Sequence, residues 1–269
     1  MERSLGLMCG AGVLPARMAS EARRQGWRVV AFTVGRVEGL APHADRVVAA
    51  RLTEVAPVLA ALQAERVSAV LFAGRFLAAD VLKAPGDEVF ERLATRAGSL
   101  ADVRLLDVVV ATLAGMGITL LDQRPFLGDW LCAEGCLTAA RPSEAEWADV
   151  RRGLALARQA AEAHVGQTVV LKRGAVAAVE ALEGTTAAIR RGTGLAGPGA
   201  VVVKAVGGDH DYRFDTPAVG PETLEAAAAG GATVVAVEAG RVLVVDRPAT
   251  VRLADAAQVA LVAVAGGGP

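Results

Sequence analysis

Asp209, His210, Asp211, Arg213 and Asp215 fall within one short stretch, KAVGGDHDYRFDTPAVG (Lys204–Gly220). Carboxylates and an imidazole this close together are the materials of a metal cluster, and equally those of an ordinary polar loop. Asp215 stands apart from its neighbours. Thr216 precedes Pro217, whose ring biases it toward extended backbone. Asp215 therefore projects from a stiff stub, which suits a positioned catalytic group. An imidazole exchanges protons near neutral pH, but a lone histidine such as His210 in a polar loop is commonly just solvated.

Two other stretches carry residues suited to phosphate chemistry. In Glu183-Gly184-Thr185-Thr186, Gly184 permits a tight bend and Thr185 is expected to cap a helix carrying Ile189, Arg190 and Arg191. A helix N-terminus beside two arginines would stabilise a diphosphate, and Glu183 in the same loop could hold a divalent metal. A plain capped helix with solvated arginines explains the pattern as well. Near the N-terminus, Gly10-Ala11-Gly12 follows an apolar run, where glycines let backbone approach a phosphate. Pro15 stands where the dinucleotide fingerprint wants its third glycine, and Arg36, not an acid, closes the second strand. A nicotinamide cofactor is thus disfavoured. Gly74-Arg75 ends another apolar run, at the edge where open α/β sheets bind ligands. Asp102 is placed near a helix start, where capping accounts for it as well as function does.

The elements that must position these groups alternate in the first half. Strands are expected at Leu5–Cys9, Trp27–Val34, Arg46–Ala50, Ala69–Ala73 and Ile118–Leu121, and helices at Pro15–Gln25, Glu54–Ala64 and Leu100–Ala114. That alternation predicts a parallel sheet with right-handed crossovers. Periodicity lapses between Asp122 and Arg141, which places a boundary near Leu131 and divides the chain into domains 1–131 and 132–269. Ser143 and Glu146 spell a capping box for a helix running to about Ala163. Beyond it, Thr168–Leu171 and Ala175–Ala181 read as a hairpin, Val201–Ala205 as a strand and Glu222–Ala229 as a helix. Thr233–Glu238 and Arg241–Asp246 read as a second hairpin, followed by a helix over Ala249–Ala257 and a strand over Val259–Val264. The fold class is α/β, with a parallel sheet in the first lobe and a mixed α/β second lobe.

With 269 residues and a formal net charge of -1, the chain can bury a large core and shows no overall pull toward nucleic acid. Its three cysteines, Cys9, Cys132 and Cys136, make no Cys-x-x-Cys pair and no disulfide framework, and they point to a reducing cytoplasm. The spacing of Cys132 and Cys136 reads as helical packing. The apolar run Val108–Leu121 is too short to span a bilayer.

GAGVLP (Gly10–Pro15), FAG (Phe72–Gly74), GCLTAARPS (Gly135–Ser143), VGQTVVLKRGAVAAVEALEGT (Val165–Thr185), RFDTPAVG (Arg213–Gly220) and GRVLVVDR (Gly240–Arg247) occur in the order found in the LpxI family, and the chain closely resembles that family over nearly its whole length. The resemblance implies a Rossmann-like N-terminal domain and a C-terminal catalytic α/β domain. It implies hydrolysis of UDP-2,3-diacylglucosamine to UMP and 2,3-diacylglucosamine 1-phosphate, water attacking the α-phosphorus with Mg²⁺ (or Mn²⁺) assisting. The essential family aspartate maps onto Asp215, which would orient or deprotonate the water or hold the metal, with Glu183 a second metal ligand. Gly10, Gly12, Gly74, Gly184, Thr185, Arg190, Arg191, Lys204 and Arg213 are the implied substrate-binding residues. A nucleotide-sugar lipid substrate implies contact with the inner-membrane surface, and self-association is left open. Two departures stand out: Thr186 replaces the usual aspartate of Glu-Gly-Thr-Asp, and Gly207-Gly208 with His210 replaces a Lys-Pro pair and a glutamine. They motivate two alternatives, a divergent member acting on another nucleotide-diphospho compound and a non-catalytic nucleotide- or lipid-binding protein.

Overall fold

The structure is a computed structural model that describes residues 3–76, 84–98 and 102–266, with the backbone alone described at 102–105 and 129. The chain divides into two compact units, Met1–Gly128 with Asp211–Asp215, and Asp129–His210 with Thr216–Pro269.

The first unit opens with β1 (Ser4–Cys9), α1 (Leu14–Arg24), β2 (Arg28–Thr33), β3 (Arg46–Ala49), α2 (Val55–Ala64) and β4 (Ala69–Ala73). It continues with α3 (Glu88–Ala97), α4 (Asp102–Gly115) and the short β5 (Thr119–Leu120). All its strand pairs are parallel, in the order β3-β2-β1-β4-β5. Leu5, Leu7, Val29, Val30, Ala31 and Leu71 are fully buried, as runs covered on both faces must be. One face packs Leu62, Leu113 and Ile118 against Val30, Phe32 and Val70. The helix α3 had no counterpart in the sequence reading. Its signals are local and clear: the Asp87 carboxylate accepts the Phe90 N–H at 2.8 Å, and Gly98 ends it in the left-handed region. A cap from the Asp102 side chain falls outside the described side chains.

In the second unit, β6 (Gly135–Cys136), α5 (Glu144–Glu162), β7 (Thr168–Lys172), β8 (Ala175–Val179), α6 (Thr185–Ala196) and β9 (Ala200–Lys204) are followed by β10 (Ala218–Val219), α7 (Pro221–Ala229), β11 (Ala232–Glu238), β12 (Leu243–Val244), α8 (Arg247–Ala256) and β13 (Ala260–Val264). The main sheet runs β6-β13-β11-β9-β7-β8, parallel at its centre and antiparallel at both flanks. Cys136 therefore sits on a strand, and Cys132 is a buried core residue, so their spacing is not that of a helix.

The β7–β8 hairpin forms as expected around Arg173-Gly174, both at positive φ. Its two turn amides, Arg173 N–H and Gly174 N–H, donate to the buried Asp149 carboxylate at 2.7 and 2.6 Å. The expected second hairpin does not exist. β11 is flanked by β9 and β13, so both its edges are taken, and the chain after Gly240 leaves the sheet. β12 pairs instead with β10 in a separate parallel two-stranded ribbon.

The capping box at α5 is present: Ser143 N–H and Oγ–H both donate to Glu146 Oε2, at 2.8 and 2.7 Å, and Thr233 Oγ–H donates to Oε1. Burial disfavours the Glu146 carboxylate, yet these hydrogen bonds outweigh it and hold the group below the ordinary 4.5. A depressed acid contributes stability that is complete above 4.5 and is lost as pH falls through its folded-state value. Wild type is therefore expected to lose more melting temperature than Glu146→Gln between about pH 5 and pH 3. Parallel melting curves would discount the box.

Candidate functional site

The carboxyl edge of the first unit's sheet is where the strand order turns back, since the chain leaves β1 toward β2 and returns to its other side at β4. There Gly10 and Gly74 lie back to back. Ala11 N–H donates to Arg75 O at 3.0 Å and Arg75 N–H to Ala11 O at 2.8 Å, a two-bond bridge between the loops. A Cβ on Gly10 would stand 2.5 Å from Arg75 O, and one on Gly74 (φ +87°) 2.7 Å from Ala11 O. These glycines are required by the chain's approach to itself. Gly12 differs: it has φ +99° and no atom within 4 Å of a Cβ, and it precedes α1, whose N-terminus has no side-chain cap. Gly74→Ala is expected to destabilise the first unit by about 2 kcal/mol through left-handed strain plus the clash. Urea unfolding would measure it, and a change below about 0.5 kcal/mol would mean that the bridge yields.

The segment Asp211–Asp215 belongs to this unit, although the sequence places it deep in the second half. Its anchors are specific. Gln123 N–H donates to Tyr212 O at 3.0 Å, the Arg124 guanidinium lies 4.5 Å from the Tyr212 ring centroid, and Phe214 packs on Phe72 of β4 at 5.8 Å. Tyr212 is buried, whereas Asp215 is exposed. Arg213 grips Asp211 in a two-pronged pair, Nε to Oδ1 at 2.9 Å and Nη2 to Oδ2 at 2.6 Å. That hydrogen bonding raises Arg213 further above its ordinary range, so its charge is fixed but largely offset. Arg124 pairs likewise with Asp122, whose carboxyl is held below its usual value chiefly by that guanidinium. The buried Cys9 at the end of β1 has its thiol pushed up to about 12 by burial, which makes it a packing residue.

A second polar cluster lies at the carboxyl end of β9. Lys204, only 5% exposed, donates from Nζ to Thr185 Oγ1 at 2.6 Å, and the Thr185 hydroxyl donates to Glu180 Oε1 at 2.8 Å. Gly184 (φ +80°) is the N-cap of α6, which has no side-chain cap, so Thr185 does not cap the helix. Its hydroxyl serves the lysine and the glutamate instead. Glu180 and Thr168, both buried, were not singled out from sequence. Glu180 Oε2 and Thr168 Oγ1 are buried with no hydrogen-bond partner among the described residues. The signal for Glu180 was a charge ending an apolar strand run, where an exposed strand end would look the same. α6 lies close on the sheet because Gly192 lacks a Cβ that would meet Val170 Cβ at 2.6 Å.

Glu183 and Arg191 pair with each other, and Arg191 also donates to Val179 O at 2.9 Å. The Arg191 hydrogen bond holds the Glu183 carboxyl below its usual value. Arg190 is exposed on α6. The Thr186 hydroxyl donates to Glu222 Oε1 at 3.3 Å. Among the described residues no group of three or more His, Cys, Asp or Glu side chains is arranged to hold a metal ion. A metal at Glu183 would have to displace Arg191. No described helix is long and apolar enough to cross a membrane.

Comparison with known proteins places this geometry in context. The LpxI N-terminal domain family matches residues 4–130 and the LpxI C-terminal domain family residues 133–262. The chain is 33% identical over 270 residues to the UDP-2,3-diacylglucosamine pyrophosphatase LpxI of Caulobacter vibrioides, covering 94% of each chain. Among solved structures, N5-carboxyaminoimidazole synthetase from Staphylococcus aureus has a TM-score of 0.25 at 15% identity, over 65% of this chain and 40% of that one. Phosphoribosylglycinamide synthetase from Anaerococcus prevotii gives 0.26 at 13%, over 65% of this chain and 38% of that one.

Proposed function

We propose that this chain, which belongs to the LpxI family, hydrolyses the diphosphate of UDP-2,3-diacylglucosamine, releasing UMP and 2,3-diacylglucosamine 1-phosphate. The observation that carries this reading is the match to both family domains together with an anchored Arg213-Phe214-Asp215 segment. Water attacks the α-phosphorus and the sugar phosphate leaves. Asp215 orients that water and accepts its proton, an assignment supported by its exposure on a segment fixed by Tyr212 and Phe214.

Attack on a diphosphate needs in-line positioning and charge neutralisation more than covalent help. Lys204 and the uncapped N-terminus of α6, at Gly184 and Thr185, supply a cation and backbone N–H groups for one phosphate. Within the first unit, Gly12 and the N-terminus of α1 leave an open backbone approach suited to a polar group. Arg190, Arg191 and Arg213 are lesser contributors, the last two already engaged by Glu183 and Asp211. Glu222 beside Thr186 keeps a carboxylate where the family commonly has aspartate.

Mg²⁺ or Mn²⁺ would neutralise charge on the diphosphate, held chiefly by substrate oxygens, with Asp215 the carboxylate this chain offers. The acyl chains of such a substrate would bring the reaction to a membrane surface.

The test is UMP release from UDP-2,3-diacylglucosamine in detergent micelles containing H₂¹⁸O, with Mg²⁺ or with EDTA. The expected result is label in UMP and loss of release with EDTA. Label in the sugar phosphate would move the attack to the β-phosphorus. No UMP from folded protein would sink the proposed reaction.

A further inference from the structure

We propose that Glu180 is a positioning residue, which aims the Lys204 ammonium by fixing the Thr185 hydroxyl between them. This rests on the reading of Lys204 as a phosphate-binding group. The three side chains form a one-way chain. A lysine ammonium can only donate and an ionised carboxylate only accept, while the hydroxyl does both. Thr185 must therefore give its proton to Glu180 Oε1 at 2.8 Å and turn a lone pair to Lys204 Nζ at 2.6 Å. With one ammonium N–H committed to that lone pair, tetrahedral geometry sets the directions of the other two.

The cluster is built, not incidental. Lys204 is 5% and Glu180 9% exposed, and Thr168, the register partner of Lys204 across β7 and β9, is 1% exposed. Burying a carboxylate is costly, and here one oxygen, Glu180 Oε2, is left without a hydrogen bond among the described residues. A half-satisfied buried carboxylate calls for a reason. Its oxygens accept, so it fixes the direction of the Thr185 proton, and its charge lies beside a buried lysine. The compensating charge also opposes anion binding, so Glu180 should favour turnover at the expense of affinity.

That opposition gives a signature. Glu180→Ala is expected to lower kcat by about 10- to 100-fold, the scale of a misplaced catalytic group, while KM stays level or falls. Glu180→Gln keeps an acceptor for Thr185 and should restore kcat to within about three-fold of wild type. Thr185→Val should lower kcat like Glu180→Ala, and the double variant should be no worse than either, since both cut one chain.

A second arm does not need activity. The chain has three lysines, Lys83, Lys172 and Lys204, so ¹³Cε-lysine spectra assigned through Lys204→Met isolate its signal, with UDP as the ligand probe. The Lys204 signal should shift in Glu180→Ala and Thr185→Val, hold in Glu180→Gln, and respond to UDP. Unchanged kcat in folded Glu180→Ala, no rescue by glutamine, or an unmoved Lys204 signal would each overturn the proposal. If wild type releases no UMP, the reaction assignment fails, and the spectra alone decide whether Glu180 positions Lys204.

Discussion

Asp215→Asn is expected to lower kcat for UMP release by about 10³-fold, within the range that a positioned acid–base group supplies. The side chain is exposed, so the melting temperature should move by no more than about 2 °C. Asparagine keeps the shape and one oxygen acceptor but cannot take a proton. If Asp215 removes the proton from water, kcat falls and KM barely changes. If its chief task is to hold a substrate-borne cation, KM for the Mg²⁺–substrate complex should rise as well. Asp211 is committed to Arg213 and Asp122 to Arg124. Residual activity above about a tenth of wild type would remove Asp215 from the proton-transfer role.

Asp215 also shows where sequence reasoning reached and where it stopped. The Thr216-Pro217 step marked it as held on stiff backbone, because a proline's restriction on its predecessor is local. That its segment belongs to the first unit depends on Phe214 meeting Phe72 and Tyr212 meeting Gln123 and Arg124. Those contacts join residues far apart in the chain, and no periodicity reports them. The parallel sheet of the first half was legible because doubly covered strands must be apolar throughout. The false hairpin after β11 had the same local pattern as the true one at β7 and β8. The difference was that neighbours already occupied both edges of β11. Thr185 fits the same lesson, since its type and position announced a cap. Burial beside Lys204 and Glu180 gave its hydroxyl a different task.

Glu238→Ala is expected to cost about 2–3 kcal/mol of stability, because it leaves the half-buried Arg158 and Arg241 and the buried Val206 N–H without their shared acceptor. Glu238 ends β11 at 1% exposure. Its Oε1 accepts from Arg158 Nη2 at 3.0 Å and Arg241 Nη1 at 3.2 Å, and its Oε2 accepts the Val206 N–H at 3.0 Å. Arg241 donates in turn to Gly207 O and to Gly208 O at 3.3 Å. The carboxylate thus holds, directly and through Arg241, the Gly207-Gly208 stretch. Two successive glycines have much conformational freedom to lose, and these side-chain clamps limit it. Removing the carboxylate frees that stretch just before Asp211–Asp215, so activity should fall even well below the melting temperature. Glu238→Gln keeps acceptor geometry but not charge, and should cost less than alanine. The double variant Glu238→Ala/Arg241→Ala should lose less than the sum of the two single variants, since the second change removes one of the stranded charges. Urea unfolding of the set decides between these accounts. A loss below about 1 kcal/mol for Glu238→Ala would show that water can replace the carboxylate, and the clamp would then have no part in fixing the loop.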